Sequence, residues 1–276
     1  MSWREIRTSD SAASPDRAAR TERDKRMATP VPEVPADTKT DRLYRSLRDR
    51  HGSANARANG YRFHAYFLGE QETVLAAVDG PPGIVLDIAC GSGLMVQPLA
   101  ARGWHVVGVD FNEQACRAAR QNGIAIARGN ALNLPLAKAS VDRAVSCQFL
   151  NQQTPERARQ FVLEAARVLK PGGRLIVVWR NGRSLIHRVA HWAYSGWDRW
   201  RGRPDFPQVF HGRADIRAYA EEGGLEVAQE TVTLPLLRWQ SDVVNGLPAK
   251  LFGASFFVIL RKPGDAANRA TGHGAA

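Results

Sequence analysis

From residue 61 onward the chain alternates short apolar runs with segments whose apolar positions recur every three or four residues. Tyr61, Phe63, Tyr66, Phe67, Val74, Leu75 and Val78 fall near helical spacing, and Asp79-Gly80-Pro81-Pro82-Gly83 closes that helix. Residues 84–88 are an apolar, β-branched run that predicts a buried strand, with one acid, Asp87, near its end. Gly91 and Gly93 then turn the chain, and the apolar-rich stretch 94–101 predicts a helix. Further strands are predicted at 105–110, 124–128, 142–147 and 174–179, with helices at 113–121 and 155–169 between them. Helices at 185–200 and 212–222 follow, and 225–234 and 256–261 read as a final antiparallel pair at the sheet edge. Strands alternating with helices predict an α/β fold, a doubly wound sheet of about seven strands with helices on both faces.

Outside this pattern the chain changes character. Residues 1–40 lack apolar periodicity and end in Thr29-Pro30-Val31-Pro32-Glu33-Val34-Pro35, which predicts a disordered lead-in with a stiff proline segment. Residues 264–276 read as a disordered tail, leaving one domain over 41–263. Within it, residues 180–213 form an insertion rich in aromatics: Trp192, Tyr194, Trp197, Trp200, Phe206 and Phe210. No apolar run approaches the roughly 20 residues that a membrane-spanning helix needs. Five acids before residue 25 argue against a transit peptide. Cys90, Cys116 and Cys147 have neither disulfide nor metal spacing, so a reducing compartment, the cytoplasm, is expected.

The formal charge of +11 invites a nucleic-acid reading, and its distribution weakens it. Residues 1–40 hold eight Lys/Arg against seven Asp/Glu, whereas residues 174–213 hold eight Arg against Asp198 and Asp205. The excess lies in the insertion, which says more about a substrate than about a nucleic-acid arm.

The loop after the first predicted strand carries the chemistry. Glycines at 91 and 93 let the backbone lie against a ligand, and free N–H groups of the following helix would face it. A dinucleotide fingerprint would need a third glycine where Val96 stands. Asp87 would also repel a pyrophosphate, but it would attract the ammonium of a zwitterionic amino-acid tail.

Val85-Leu86-Asp87-Ile88-Ala89-Cys90-Gly91-Ser92-Gly93 resembles the first motif of class I methyltransferases that use S-adenosylmethionine. Three further stretches match the family in order. Asp110, 17 residues beyond Gly93, stands at the tip of the second strand with Phe111 next to it. Gly129-Asn130-Ala131 precedes Leu134-Pro135, with Asn130 where the family usually has Asp. Leu169-Lys170-Pro171-Gly172-Gly173 leads into the fifth strand. The resemblance covers roughly residues 60–180 and implies a Rossmann-like sheet with S-adenosylmethionine as cofactor. It implies that Asp87, Ala89, Gly91, Gly93, Asp110, Phe111, Asn130, Ala131 and Gln148 hold that cofactor. Asp110 would take the ribose hydroxyls (or merely cap the next helix), Phe111 would lie on adenine, and the Asn130 carbonyl would accept the adenine amino group.

The best match within the family is the small-molecule branch that includes quinone-biosynthesis methyltransferases. Asn151, Trp197 and Arg201 are candidate contacts for an apolar or aromatic acceptor bearing an anionic group. His187, His191 and His211 are the candidate bases if the acceptor must lose a proton. His187 and His191 share a helix face, yet no third ligand accompanies them, so no metal site is expected. The Arg- and Trp-rich insertion equally suits a homodimer contact. RNA methylation, or a cofactor-binding subunit without catalysis, remain the alternatives. The helix near residues 61–78 either covers the cofactor, as in the family, or is a plain packing helix.

Overall fold

The computed structural model describes residues 61, 64–200, 208–234, 239–241 and 251–264. The two predicted disordered tails, apart from Gly264, lie outside the described residues, as does Arg201. Five parallel strands form the first part of the sheet: β1 (Ile84–Ile88), β2 (His105–Asp110), β3 (Ala125–Arg128), β4 (Val141–Cys147) and β5 (Leu169–Arg180). Three antiparallel strands complete it: β6 (Glu226–Leu234), the short β7 (Trp239–Ser241) and β8 (Ser255–Arg261). The order is β3-β2-β1-β4-β5-β8-β6-β7, so β8 inserts between β5 and β6. Seven strands match the predicted runs, and the three-residue β7 is an addition at the edge.

The helices are α1 (His64–Ala77), α2 (Glu113–Gln121), α3 (Pro155–Val168), α4 (Leu185–Trp200) and α5 (Arg213–Glu222). Among the described residues no helix is long and apolar enough to cross a membrane. Strand side chains alternate between the two faces, and the core divides accordingly. Leu86 and Ile88 of β1, Val107 and Val109 of β2, and Leu175 and Val177 of β5 pack with Phe161 of α3 and Ile216 of α5. Val85, Val106, Ile176 and Val178 face the other way, toward Phe67 and Val74 of α1 and Cys116 of α2. Burial on both faces explains why these strands read as continuous apolar runs.

One prediction needs correction. The stretch 94–101 does not become an α-helix; turns lead into a short 3₁₀ helix, Gln97–Arg102, with Pro98 in its first turn. Gly103, at φ +84°, ends it after six residues. No α-helix therefore follows the glycine loop directly, and the Cys90, Gly91 and Gly93 amides donate to Val109 O, Asp110 Oδ2 and Cys90 O.

Phe161 is fully buried and lies 5.3 Å, centroid to centroid, from Phe149. Phe161→Ala should lower stability by about 3–5 kcal/mol through lost burial and a cavity. A fall in the urea midpoint with unchanged slope is the expected result.

Candidate functional site

The sheet order reverses between β1 and β4: the chain runs outward through β1, β2 and β3, then returns to place β4 on the other side of β1. Loops leaving the carboxyl ends of these two strands diverge and leave a crevice. Asp87, the glycine loop and Gln148 lie at those ends, and Asp110 ends the neighbouring β2.

The loop after β1 has an unusual backbone. Ala89, Gly91 and Gly93 have φ of +59°, +57° and +74°. A Cβ on Gly93 would stand 2.6 Å from Ile124 Cγ1, so a larger residue would force Ile124 to shift and would strain the left-handed backbone. The Gly91 amide donates to Asp110 Oδ2 at 2.9 Å, and the Asn112 amide donates to Oδ1 at 2.9 Å. Asp110 thus locks the β1 loop to the β2 loop. Its alternative as a helix cap falls away, because Asn112 caps α2 by accepting from the Ala115 amide.

Asp87 is 2% exposed, and its Oδ2 is buried without a hydrogen-bond partner. Burial, and then the negative charge of Asp110, push its carboxyl well above the usual range. Two carboxylates behind one glycine loop make a site for a cation-bearing ligand.

The other predicted positions differ in what occupies them. Asn130 Oδ1 accepts from the Leu132 amide at 2.9 Å, so the side-chain carbonyl builds the turn in which Ala131 is buried. Phe111 is half-buried beside Asp110, and its carbonyl accepts from Arg128 Nε. Gln148 has a left-handed backbone (φ +63°), and its side chain bonds Glu70 and Asn151. Asn151, expected to touch the acceptor, is 3% exposed and ties Gln148 to the Arg180 amide. Its place is that of a strut under the site.

His211 is buried, with Nε2 at 3.0 Å from both Leu150 O and Gln153 O. A nitrogen facing two carbonyl oxygens carries the hydrogen and donates, so it offers no basic lone pair there. His191 is half-buried on α4, 3.4 Å from Ser195 Oγ. The His187 side chain lies outside the described residues. Trp197 is half-exposed and stacks at a tilt on Trp200, 5.2 Å between centroids. Among the described residues no three His, Cys, Asp or Glu side chains gather as a metal site requires.

Composition and motifs had not singled out one further group. Glu70 of α1 is 2% exposed and bonds Tyr61, Gln148 and Ser255. The available signal was its spacing: it falls three after Phe67 and four before Val74, on the buried stripe of the helix. α1 also reaches the glycine loop through Gln71 Nε2, which donates to Leu94 O at 2.6 Å.

The methyltransferase-domain family profile matches residues 86–177. The demethylmenaquinone methyltransferase of Mycobacterium sp. (strain KMS) is 37% identical over 184 residues, covering 65% of this chain and 79% of that one. The chain belongs to the class I S-adenosylmethionine-dependent methyltransferases. A ubiquinone biosynthesis O-methyltransferase of Pseudomonas aeruginosa (strain UCBPP-PA14) is similar at 28% identity, over 52% of this chain and 64% of that one. In fold, the methyltransferase resembles an S-adenosylmethionine-dependent methyltransferase from Archaeoglobus fulgidus, with a TM-score of 0.58 at 16% identity, over 74% and 96% of the two chains.

S-adenosylmethionine carries an ammonium on its amino-acid tail, and the partnerless oxygen of Asp87 suits that group. The narrow space at Gly93 and the left-handed loop fit a ligand pressed against backbone.

A carboxyl whose folded pKa is raised makes the methyltransferase less stable as pH rises. Between the ordinary carboxyl value and the raised one, the folded state holds more protons than the unfolded state, so stability falls through that window. Without cofactor, Asp87→Asn should flatten this slope and raise stability at neutral pH by about 1 kcal/mol, because an unpaired buried charge is removed. Urea titrations across pH would show it; an unchanged slope would mean that Asp87 finds a partner in solution.

Proposed function

We propose that this methyltransferase moves a methyl group from S-adenosylmethionine to a small molecule, an apolar or aromatic acceptor bearing an anionic group. The observation that carries the cofactor part is the buried, partnerless Asp87 oxygen behind the glycine loop. In this reading Asp87 takes the ammonium, and the loop at Ala89, Gly91 and Gly93 lies along the amino-acid tail. Asp110 takes the ribose hydroxyls. Phe111 lies on the adenine, Asn130 and Ala131 form its rim, and Gln148 closes the strand-end side. The bound cofactor supplies an activated methyl group; the protein aligns the acceptor with it and excludes water.

The acceptor part rests on α4. This helix follows directly from the carboxyl end of β5, and it exposes Trp192 and Trp200 at 76% each, with Trp197 between them. Arg183 and Arg188 are exposed at its start. Large aromatics beside cations suit an aromatic anion. Similarity to a demethylmenaquinone methyltransferase and a ubiquinone biosynthesis O-methyltransferase supports a quinone-related small molecule as acceptor. The catalytic unit we propose is residues 41–263, with 180–213 as its acceptor-facing insertion. Three free thiols suit a reducing compartment, and we place the enzyme in the cytoplasm.

The test is methyl-labelled cofactor incubated with fractionated cell extract. Label in an organic-soluble small molecule is expected; label in RNA or protein would contradict the reading. With that fraction as acceptor, Trp197→Ala should change kcat or KM about tenfold, roughly 1.4 kcal/mol. Cofactor affinity should stay within about twofold. Loss of cofactor binding instead would put α4 in the cofactor site.

A further inference from the structure

Glu70 stands at the carboxyl-end face of the sheet, and among the described residues its hydrogen-bond partners are all uncharged. Oε1 accepts from Gln148 Nε2 at 2.5 Å and from Ser255 Oγ at 2.9 Å, and Oε2 accepts from the Tyr61 hydroxyl at 2.7 Å. Ser255 Oγ lies 2.6 Å from the Tyr66 hydroxyl, joining both tyrosines to one network. If the acid served only to fasten α1, a buried carboxylate held by neutral dipoles would be a costly fastener. A well-packed apolar side chain would do that work with no charge to desolvate.

The surroundings tune this carboxylate. Burial pushes its pKa up; the Tyr61 and Ser255 hydrogen bonds, the Arg180 charge and the Gln148 bond pull it partly back. Tyr61 and Tyr66 are themselves pushed up by burial and by Glu70, so both stay protonated as donors. Burial, and then the charges of Glu70 and of Asp87, raise the Cys147 thiol. Glu70 bonds Gln148, which follows the carboxyl end of β4 at the reversal of strand order, so it stands beside the crevice. Gln148, which presents its amide to Glu70, does so from a left-handed backbone that a non-glycine residue adopts at a cost. Tyr61 lies edge-on to Phe67 at 5.1 Å and tilted to Tyr66 at 6.4 Å, so the carboxylate is flanked by rings.

We propose that Glu70 is the general base of the methyl transfer, and that the acceptor group is a weakly acidic hydroxyl on an aromatic ring. This rests on the methyl-transfer reading of the crevice. The acceptor oxygen forms the new bond to the methyl carbon while the carbon–sulfur bond breaks, its electron pair staying on sulfur. The hydroxyl proton passes to Glu70. The positive charge on sulfur and the negative charge on the carboxylate disappear together, which a site of low polarity favours. A neutral amine would need no proton removed before attack. A base poised above the ordinary carboxyl range is what a phenolic hydroxyl requires.

The test uses the full chain, labelled S-adenosylmethionine and 3,4-dihydroxybenzoate as probe acceptor. Wild-type kcat should rise with pH as Glu70 loses its proton, with its inflection above the ordinary carboxyl range. Glu70→Gln keeps the shape and an oxygen for Tyr61. It should be about a hundredfold slower at neutral pH, lose that inflection, and recover only at alkaline pH as the acceptor hydroxyl ionises by itself. Its affinity for S-adenosylhomocysteine by calorimetry should stay within about twofold of wild type. Tyr61→Phe, which removes one donor to the carboxylate, should move the inflection to higher pH, and it serves equally if Glu70→Gln does not fold. A constant loss at every pH with the inflection kept, or an unmoved inflection in Tyr61→Phe, would make Glu70 a structural latch and overturn the proposal. Wild type that binds S-adenosylhomocysteine but does not methylate the probe would overturn the hydroxyl-aromatic acceptor. Wild type that does not bind S-adenosylhomocysteine would overturn the underlying reading of the crevice, and this proposal with it.

Discussion

The reversal of strand order between β1 and β4 is the constraint on which the rest of this molecule depends. Parallel strands buried on both faces leave no room for a ligand within the sheet, so binding is confined to their ends. At the reversal the connecting loops part, and whatever side chains stand there become the site. Here they are acids on both sides: Asp87 on β1, Asp110 on β2, and Glu70 brought over the strand ends by α1. Three buried carboxyls near one crevice are tolerable because each is handled differently. Asp110 is held by backbone amides and Glu70 by neutral side chains, while Asp87 keeps one oxygen without a partner.

This division of labour links stability to function. On the proposed reading, the partnerless Asp87 oxygen weakens the protein without cofactor and would strengthen the complex, so affinity would be drawn from a defect in the free state. Ala89 and Gln148, two non-glycine residues with left-handed backbones, add strain at the ends of β1 and β4.

Much of this was legible in the chain, for physical reasons. Strands buried on both faces leave dense apolar runs, and Val85–Gly93 has a residue order that few other turns require. The Asp110 position followed from its place at a strand tip. What failed to read was local or long-range. Pro98 and Gly103 shorten the segment after the loop into a 3₁₀ helix, because apolar content alone does not sustain an α-helix. Asn130 carries a side-chain bond to Leu132 that only the folded turn discloses. His211 looked like a base and is a donor between two carbonyls. The Glu70 network joins residues up to 194 positions apart, from Tyr61 to Ser255, and no linear pattern contains it.

The central claim is that Asp87 and the ligand ammonium meet in the crevice. It is tested most directly by a cycle in calorimetry: S-adenosylhomocysteine and its desamino analogue, each titrated into wild type and Asp87→Asn. The account predicts that loss of the amino group weakens binding to wild type at least tenfold, about 1.4 kcal/mol, and to Asp87→Asn by less than about twofold. Equal losses in the two proteins would contradict it.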